Sequence, residues 1–337
     1  MIKGLRLLLL AIGVLAGIGG STADAAGQAE LRIATVAPAG SSFHKRLQAL
    51  STEWSRGAGG VSMNIYAGTQ GGELQIVRRM RVGQIQGAML TSIGLAQIER
   101  SVTALQYMPL MFRDWEDVDL VRERLRPDLE RRLREAGYIV MFWADAGWVR
   151  YFSNKPIQRV KDLKALRVYA SSGDPESVAM MKDYYTPVVL EPDQILLGLR
   201  NGMIDALPVP AFLANFSQVP TYAPYMLDLR WAPITGALIV TERAWNKLDP
   251  ATQAWLRETS ERAGHEMRRA SRAEDEQAVQ AMKDKQGLKI MPLSAEAERE
   301  FRAEVARMYP RIRGTLVPAP MFDVTVETLK ARHAAGS

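Results

Sequence analysis

After Pro250 the chain runs to about Gln286 without another proline and with a single glycine, Gly264, in a stretch dominated by Ala, Glu, Arg and Gln. Nothing there interrupts a helix and the composition favours one, so residues 250–286 predict a single helix of roughly 35 residues, about 50 Å long. A helix of that length outspans one lobe of ordinary size. The rest of the chain must therefore supply two bodies for it to lie across.

The pattern elsewhere supplies them. LRIATV (31–36) is a short apolar strand. APAGSS turns it into a helix that Ser41 or Ser42 can cap, with Phe43, Leu47, Leu50 and Trp54 at helical spacing. VSMNIYA (61–67) alternates as a strand does, the glycine-rich AGTQGGE leads into a helix carrying Leu74 and Val77, and IQGAMLTS (85–92) is a further strand. A second series follows in GYIVMFWADAGW (137–148), LRVYA (166–170) and TPVVL (186–190), then a helix over residues 192–200. RNGMIDALPV (200–209) repeats the design of RVGQIQGAML (81–90), a glycine-marked helix end followed by a strand. Strands alternating with helices predict an α/β class with mostly parallel sheets, and in such sheets ligands sit beyond the carboxyl ends of the strands. Two α/β lobes, a cleft between them and a long spanning helix form the layout of a binding protein. The plainer alternative is a two-domain α/β protein of unspecified role.

The chain opens with Lys3 and Arg6 ahead of an apolar run over residues 7–18, then small residues around Ala23 and Ala25. That is the layout of a secretory signal peptide cut after about Ala25. The apolar run is shorter than the roughly 20 residues that span a bilayer, which argues against a membrane anchor. Charged residues interrupt every later apolar run, so the mature chain is expected to be soluble, without stable membrane insertion. It has no cysteine, which excludes disulfides, thiolate metal sites and a cysteine nucleophile. Export without disulfides fits a bacterial periplasmic protein large enough to rely on its core. Loss of residues 1–25 would lower the formal charge from +6 to +5. That charge is interleaved with acids, as in RERLRPDLERRLRE (122–135), which reads as a solvated helix face and not as a nucleic-acid patch.

Enzyme signatures are sparse. His44, His265 and His333 are scattered, and HEMRR lacks the second histidine of a zinc-protease motif. Ser42 and Lys45 match S-x-x-K, in which a lysine activates a serine, although a serine here also has a simpler role at a helix start. No phosphate-binding or dinucleotide fingerprint is present; GTQGGE can offer backbone N–H groups to an anion or act as a plain turn. Trp143, Trp148, Tyr169, Phe212, Phe216 and Trp231 lie near strand ends or in the loops that follow, which favours a cleft lined with rings.

LRIATVAPAGSSFHK, IYAGTQGGELQ, MPLMFRDWEDV, NKPIQRVKDLKALRV, LRNGMIDA and ERAWNKLDP together resemble the DctP-type solute receptors of TRAP (tripartite ATP-independent periplasmic) transporters over nearly the whole mature chain. The resemblance implies a bilobal periplasmic-binding-protein-like fold closing on a small solute, a long helix across both lobes, delivery to membrane-embedded partner subunits, and neither catalysis nor a cofactor or metal. The implied division places residues 26–147 and about 234–265 in one lobe, with 148–233 and about 266–337 in the other. Such receptors typically clamp an organic acid with an arginine, for which guanidinium offers a planar, bidentate fit.

Three family anchor positions depart from that pattern. Tyr169 stands where the clamp arginine is expected, Val149 where a second arginine is common, and Val209 where an asparagine is usual. Arg167, on the Tyr169 face of its strand but about 6.6 Å back along it, and Arg150, one residue from the second position, are the available substitutes. Glu73 matches a family glutamate near the cleft mouth, either touching the ligand or steadying its own helix. The candidate ligand-binding set is therefore Glu73, Val149, Arg150, Arg167, Tyr169, Val209, Phe212 and Trp231, and the expected ligand is neutral or aromatic, or an acid held in an atypical way. The rival readings are a sensor or scaffold that kept the fold without transport, and a Ser42–Lys45 hydrolase.

Overall fold

A computed structural model of the protein describes residues 29–57 and 59–335; the leader read in residues 1–25 lies outside them. In the first half, β1 (Glu30–Thr35) buries Leu31 and Ile33 by strand alternation and pairs in parallel with β2 (Ser62–Ala67) and β3 (Gly87–Thr91). The connecting helix α1 (Ser42–Arg56) buries the predicted apolar stripe of Phe43, Leu47, Leu50 and Trp54, whereas α2 (Glu73–Arg81) buries Ile76, Val77 and Met80 and leaves Leu74, read with Val77 from sequence, only partly buried. Ser41 caps α1, accepting from the backbone N–H of His44 at 3.3 Å. Ser42 Oγ is buried and makes no hydrogen bond, so Lys45 does not hold it and the hydrolase pair is not formed.

The chain continues through α3 (Ser92–Ala96) and α4 (Trp115–Glu135) into β4 (Tyr138–Ser153). Sequence reading ends this strand at Trp148, but it runs five residues further. Gly147, at φ +100°, kinks the strand without ending it, and the ladder register slips between Asp145 and Trp148. Before the kink β4 pairs with β9 (Pro233–Thr241), which in turn pairs with β3. Beyond it β4 pairs with β7 (Ala206–Pro210). The second half adds α5 (Val160–Lys164), β5 (Arg167–Ser171), α6 (Pro175–Met181), β6 (Thr186–Leu190), α7 (Ile195–Arg200), α8 (Ala211–Phe216) and β8 (Tyr225–Leu227). The sheet order is β2-β1-β3-β9-β4-β7-β5-β6, so two α/β halves share β4 and β9 at the centre.

After α9 (Glu242–Trp245) comes α10 (Pro250–Lys285), the predicted long helix, capped by Asp249 through the N–H groups of Ala251 and Thr252 at 3.0 Å. It lies along β4 and reaches α1 at one end and α8 at the other. Trp54 on α1 donates its indole N–H to Thr259 at 3.1 Å. Gly264 permits close approach to the strand, because a Cβ there would meet Phe142 Cβ at 2.6 Å. β10 (Lys289–Met291) and α11 (Ala295–Thr315) complete the second half. α12 (Ala319–Ala335) then returns to pack on α4, where Arg332 binds Asp114 at 2.7 Å.

The charged stretch on α4 is only partly the solvated face that its sequence suggests. Arg126–Glu130, Arg132–Asp128 and Arg131–Glu135 pair along the outside at 2.6–2.8 Å, while Leu125, Leu129 and Leu133 enter the core. Arg122 also turns inward and is 1% exposed, because Asp145 on β4 offers it a buried partner at 3.0 Å. No helix among the described residues is long and apolar enough to cross a membrane. Gly264→Ala is expected to cost about 1–3 kcal/mol despite the better helix propensity of alanine, since the new methyl group overpacks a close contact. Urea denaturation measures the loss, and a neutral or stabilising result would contradict the close approach of α10 to β4.

Candidate functional site

A cavity of about 700 Å³ opens between the two halves at the carboxyl ends of their parallel strands, within the range of small-molecule sites. The first half contributes the ends of β1 and β3, the loop after β1 and the start of α2. The second contributes Tyr169 and the loop after β5, the segment 191–196, and β7 with the start of α8. Residues 144–146 of β4 and 234–236 of β9 form the wall between them. The Phe43 ring from α1 and the Phe212 ring from α8 meet across the halves, with centroids 5.2 Å apart.

Of the residues selected from sequence, Glu73, Tyr169, Val209 and Phe212 line this cavity, whereas Val149, Arg150, Arg167 and Trp231 do not. Arg167 donates two side-chain bonds to Asp205, at 2.7 and 2.9 Å, and this guanidinium holds the Asp205 carboxyl well below the usual range. Arg150 is 4% exposed and gives Nη1 to Asp275 at 2.8 Å and Nη2 to Glu276 at 3.0 Å. Both proposed clamp substitutes are thus committed to carboxylates of the protein itself. Val149 is buried in the core on the opposite strand face from Arg150. Trp231 packs edge-on against Tyr151, with centroids 5.2 Å apart, and is core as well.

The expectation of a ring-lined cleft holds for fewer side chains than the sequence suggests. Trp143 is buried and donates to Glu130 at 3.0 Å, Trp148 stacks on Trp115 at 4.8 Å, and Phe216 lies half exposed at 48%, outside the cavity. Phe43, read only as a helix core position, does reach the cavity wall.

Glu73 is the first residue of α2 and is buried. It accepts from the backbone N–H and hydroxyl of Thr91, each at 2.6 Å, and from the N–H of Gly94 at 2.9 Å, so it braces its helix against the end of β3. Sequence reasoning missed Asp145, a wall residue only 1% exposed. It is saturated by Arg122 at 3.0 Å and by Arg272 at 2.6 and 2.8 Å. Arg272 also lies over the Trp115 ring, 4.6 Å from its centroid. An aspartate inside an apolar strand was the visible signal, but its partners lie 23 and 127 residues away. Among the described residues, those lining the cavity include four acidic ones, Glu73, Asp145 with its carboxyl buried, Glu191 and Asp193, and no arginine, lysine or histidine. Among the described residues no cluster of three or more histidine, aspartate or glutamate side chains is placed to hold a metal.

Burial pushes the Glu73 carboxyl above its ordinary 4.5, against the opposing effect of its hydrogen bonds from Thr91 and Gly94. The folded protein therefore holds that proton more tightly than the unfolded chain does. The resulting stabilisation is complete below 4.5 and is lost as pH rises through the raised value. Glu73→Gln removes this titration and leaves an N–H donor without an acceptor, at a cost of about 1–3 kcal/mol. The stability of wild type minus that of the variant should shrink as pH rises above 4.5. Urea denaturation at stepped pH checks this, and a difference that grows over that interval would contradict burial as the dominant influence.

Residues 33–314 match the family described as bacterial extracellular solute-binding protein, family 7, DctP. An uncharacterised protein, YiiZ, from Salmonella typhimurium is 21% identical over 192 residues, covering 55% of this chain and 58% of the relative, so the match spans little more than half the length of that curated protein. Among solved structures, a TRAP periplasmic solute-binding protein from Ralstonia eutropha H16 with bound (S)-2-acetolactate has a TM-score of 0.82 at 16% identity, covering 90% of this chain and 99% of the other. A Shewanella oneidensis protein of the same kind with bound succinate has a TM-score of 0.82 at 11% identity, covering 90% and 100%. DctP7 of Bordetella pertussis, a receptor binding pyroglutamic acid, has a TM-score of 0.80 at 17% identity, covering 89% and 99%. With a matched segment that takes in most of the chain and a fold shared across both halves, the chain belongs to the DctP family of bacterial extracellular solute-binding proteins.

Proposed function

We propose that this protein is the periplasmic receptor of a TRAP-type secondary transporter, which captures one small solute between its lobes and delivers it to membrane-embedded subunits. The observation that carries the reading is the large cavity between two halves joined through so few crossing elements, namely β4, β9, α10 and the return of α12. The proposed lobes are residues 26–147 with about 234–265, and 148–233 with about 266–337, the last helix of the second, α12, crossing back onto α4 of the first. Gly147, at the kink in β4, lies on that boundary. Closure about such a junction is the hinge motion by which two-lobed binding proteins trap a ligand. Contacts at the rim suit a closed form: the Tyr107 hydroxyl donates to Asp174 at 2.6 Å, Gln97 to the Gly173 carbonyl at 3.2 Å, and Arg100 to Glu176 at 2.6 Å. No catalytic step is assigned, because Ser42 and Lys45 are not joined and the family is one of binding proteins.

Capture from a mixture tests the reading. Purified protein incubated with a bacterial metabolite extract, desalted and then denatured should release one solute in near-equimolar amount by mass spectrometry. Ser172→Trp, which fills the cavity from the loop after β5, should release at least tenfold less. Release of no solute, or equal release from both proteins, would refute the cleft as a solute site.

A further inference from the structure

The solved relatives named above hold organic acids, and an acid in a closed cleft needs a cation or a cluster of donors to replace its lost water. This cleft provides no cation. The arginines named above are already paired from within: Arg122 and Arg272 with Asp145 and Asp119, Arg150 with Asp275 and Glu276, and Arg167 with Asp205. Taking any of them for a ligand would strand a buried or half-buried carboxylate, which costs more than the new contact returns.

The other usual anion site, the N-terminus of α2, is also taken by carboxylates. Glu73 occupies its first position, and the Glu191 carboxylate of the opposite half lies 3.8 Å from where a Cβ on Gly72 would stand. Among the described residues, the neutral donors left on the wall are side chains such as Ser171, Ser172 and Gln75, none of which carries a charge to offset that of an anion. What the wall does offer is apolar: the rings of Phe43 and Phe212, the face of Tyr169, and aliphatic side chains such as Ile93, Val209 and Leu213.

From this we infer that the cleft takes a solute with an apolar body and no anionic group, an alcohol or amine in preference to an organic acid. Its polar head donates to Glu191 or to the Tyr169 hydroxyl, and its body lies against the phenylalanine pair. Repulsion from the exposed carboxylates Glu191 and Asp193 disfavours the acid with the same body. The inference rests on the receptor reading and deepens it.

The test uses matched series that share one aromatic or alicyclic body and differ only in the head, for example phenethylamine, 2-phenylethanol and phenylacetate, together with succinate, pyroglutamate and galacturonate. Purified protein is screened by thermal shift, since a ligand that binds only the folded state raises its stability, and hits are titrated by calorimetry. An amine or alcohol should bind at least tenfold more tightly than the carboxylate with the same body, and Ser172→Trp should abolish the binding. An acid that binds equally well or better, with binding removed by Ser172→Trp, overturns the inference while leaving the receptor reading intact. Absence of binding by every amine and alcohol also overturns it, and the metabolite-capture experiment separately decides whether the cleft receives a solute at all.

Discussion

The carboxylate of Asp275 is the point on which the seating of the long helix against the second half depends. From the last third of the long helix it accepts the backbone N–H of Trp148 at 3.1 Å, the backbone N–H of Phe212 at 3.1 Å and the guanidinium of Arg150 at 2.8 Å. One side chain thereby ties α10 to the central strand just past its kink and to the start of the helix that presents Phe212 to the cavity. It also explains the glycine beside it, since a Cβ on Gly147 would lie 2.4 Å from the Asp275 carboxyl carbon. Burial raises the Asp275 carboxyl, while Arg150 and the two N–H donors pull it down. A carboxylate so placed is costly alone and structurally useful only with all its partners present.

The same logic accounts for what was legible in the sequence. Long-range order that rests on periodicity was readable: the α1 stripe, the alternation of β1, and the uninterrupted helix that became α10. Tyr169 reached the cavity because strand alternation and the position of its strand end are local properties. The ion pairs were not readable. Arg167 reads from the sequence as a spare cation, and it is spent on Asp205, 38 residues away, across two parallel strands. Arg122 looks like any other member of a charged helix face, and only the fold brings Asp145 against it. Periodicity carries no information about which charge will find which partner, so the most consequential features of the cleft were the least visible.

Those pairings also explain why fold and cargo separate in this protein. The fold comes from apolar patterning and close helix–strand contact, neither of which constrains the charge on the cavity wall. A receptor can therefore keep two lobes, a shared strand and a spanning helix while the nearby guanidiniums are paired with carboxylates of the chain itself. The inward pairs then do structural work, joining β4 to α4 and α10 through Asp145 and Asp275.

Opening and closing must respect this arrangement. Asp275 binds Trp148, Arg150 and Phe212, all in the second half, so lobe motion can leave its bonds intact. The rim contacts differ, because Tyr107, Gln97 and Arg100 belong to one half while Asp174, Gly173 and Glu176 belong to the other. Any separation of the lobes breaks them. Tyr107 stays a neutral donor in this contact, because burial and then Asp174 push its phenol well above the usual range. Separation of the lobes is thus opposed at the mouth by a few contacts, among them the half-exposed Arg100–Glu176 ion pair, while the bonds of Asp275 need not move.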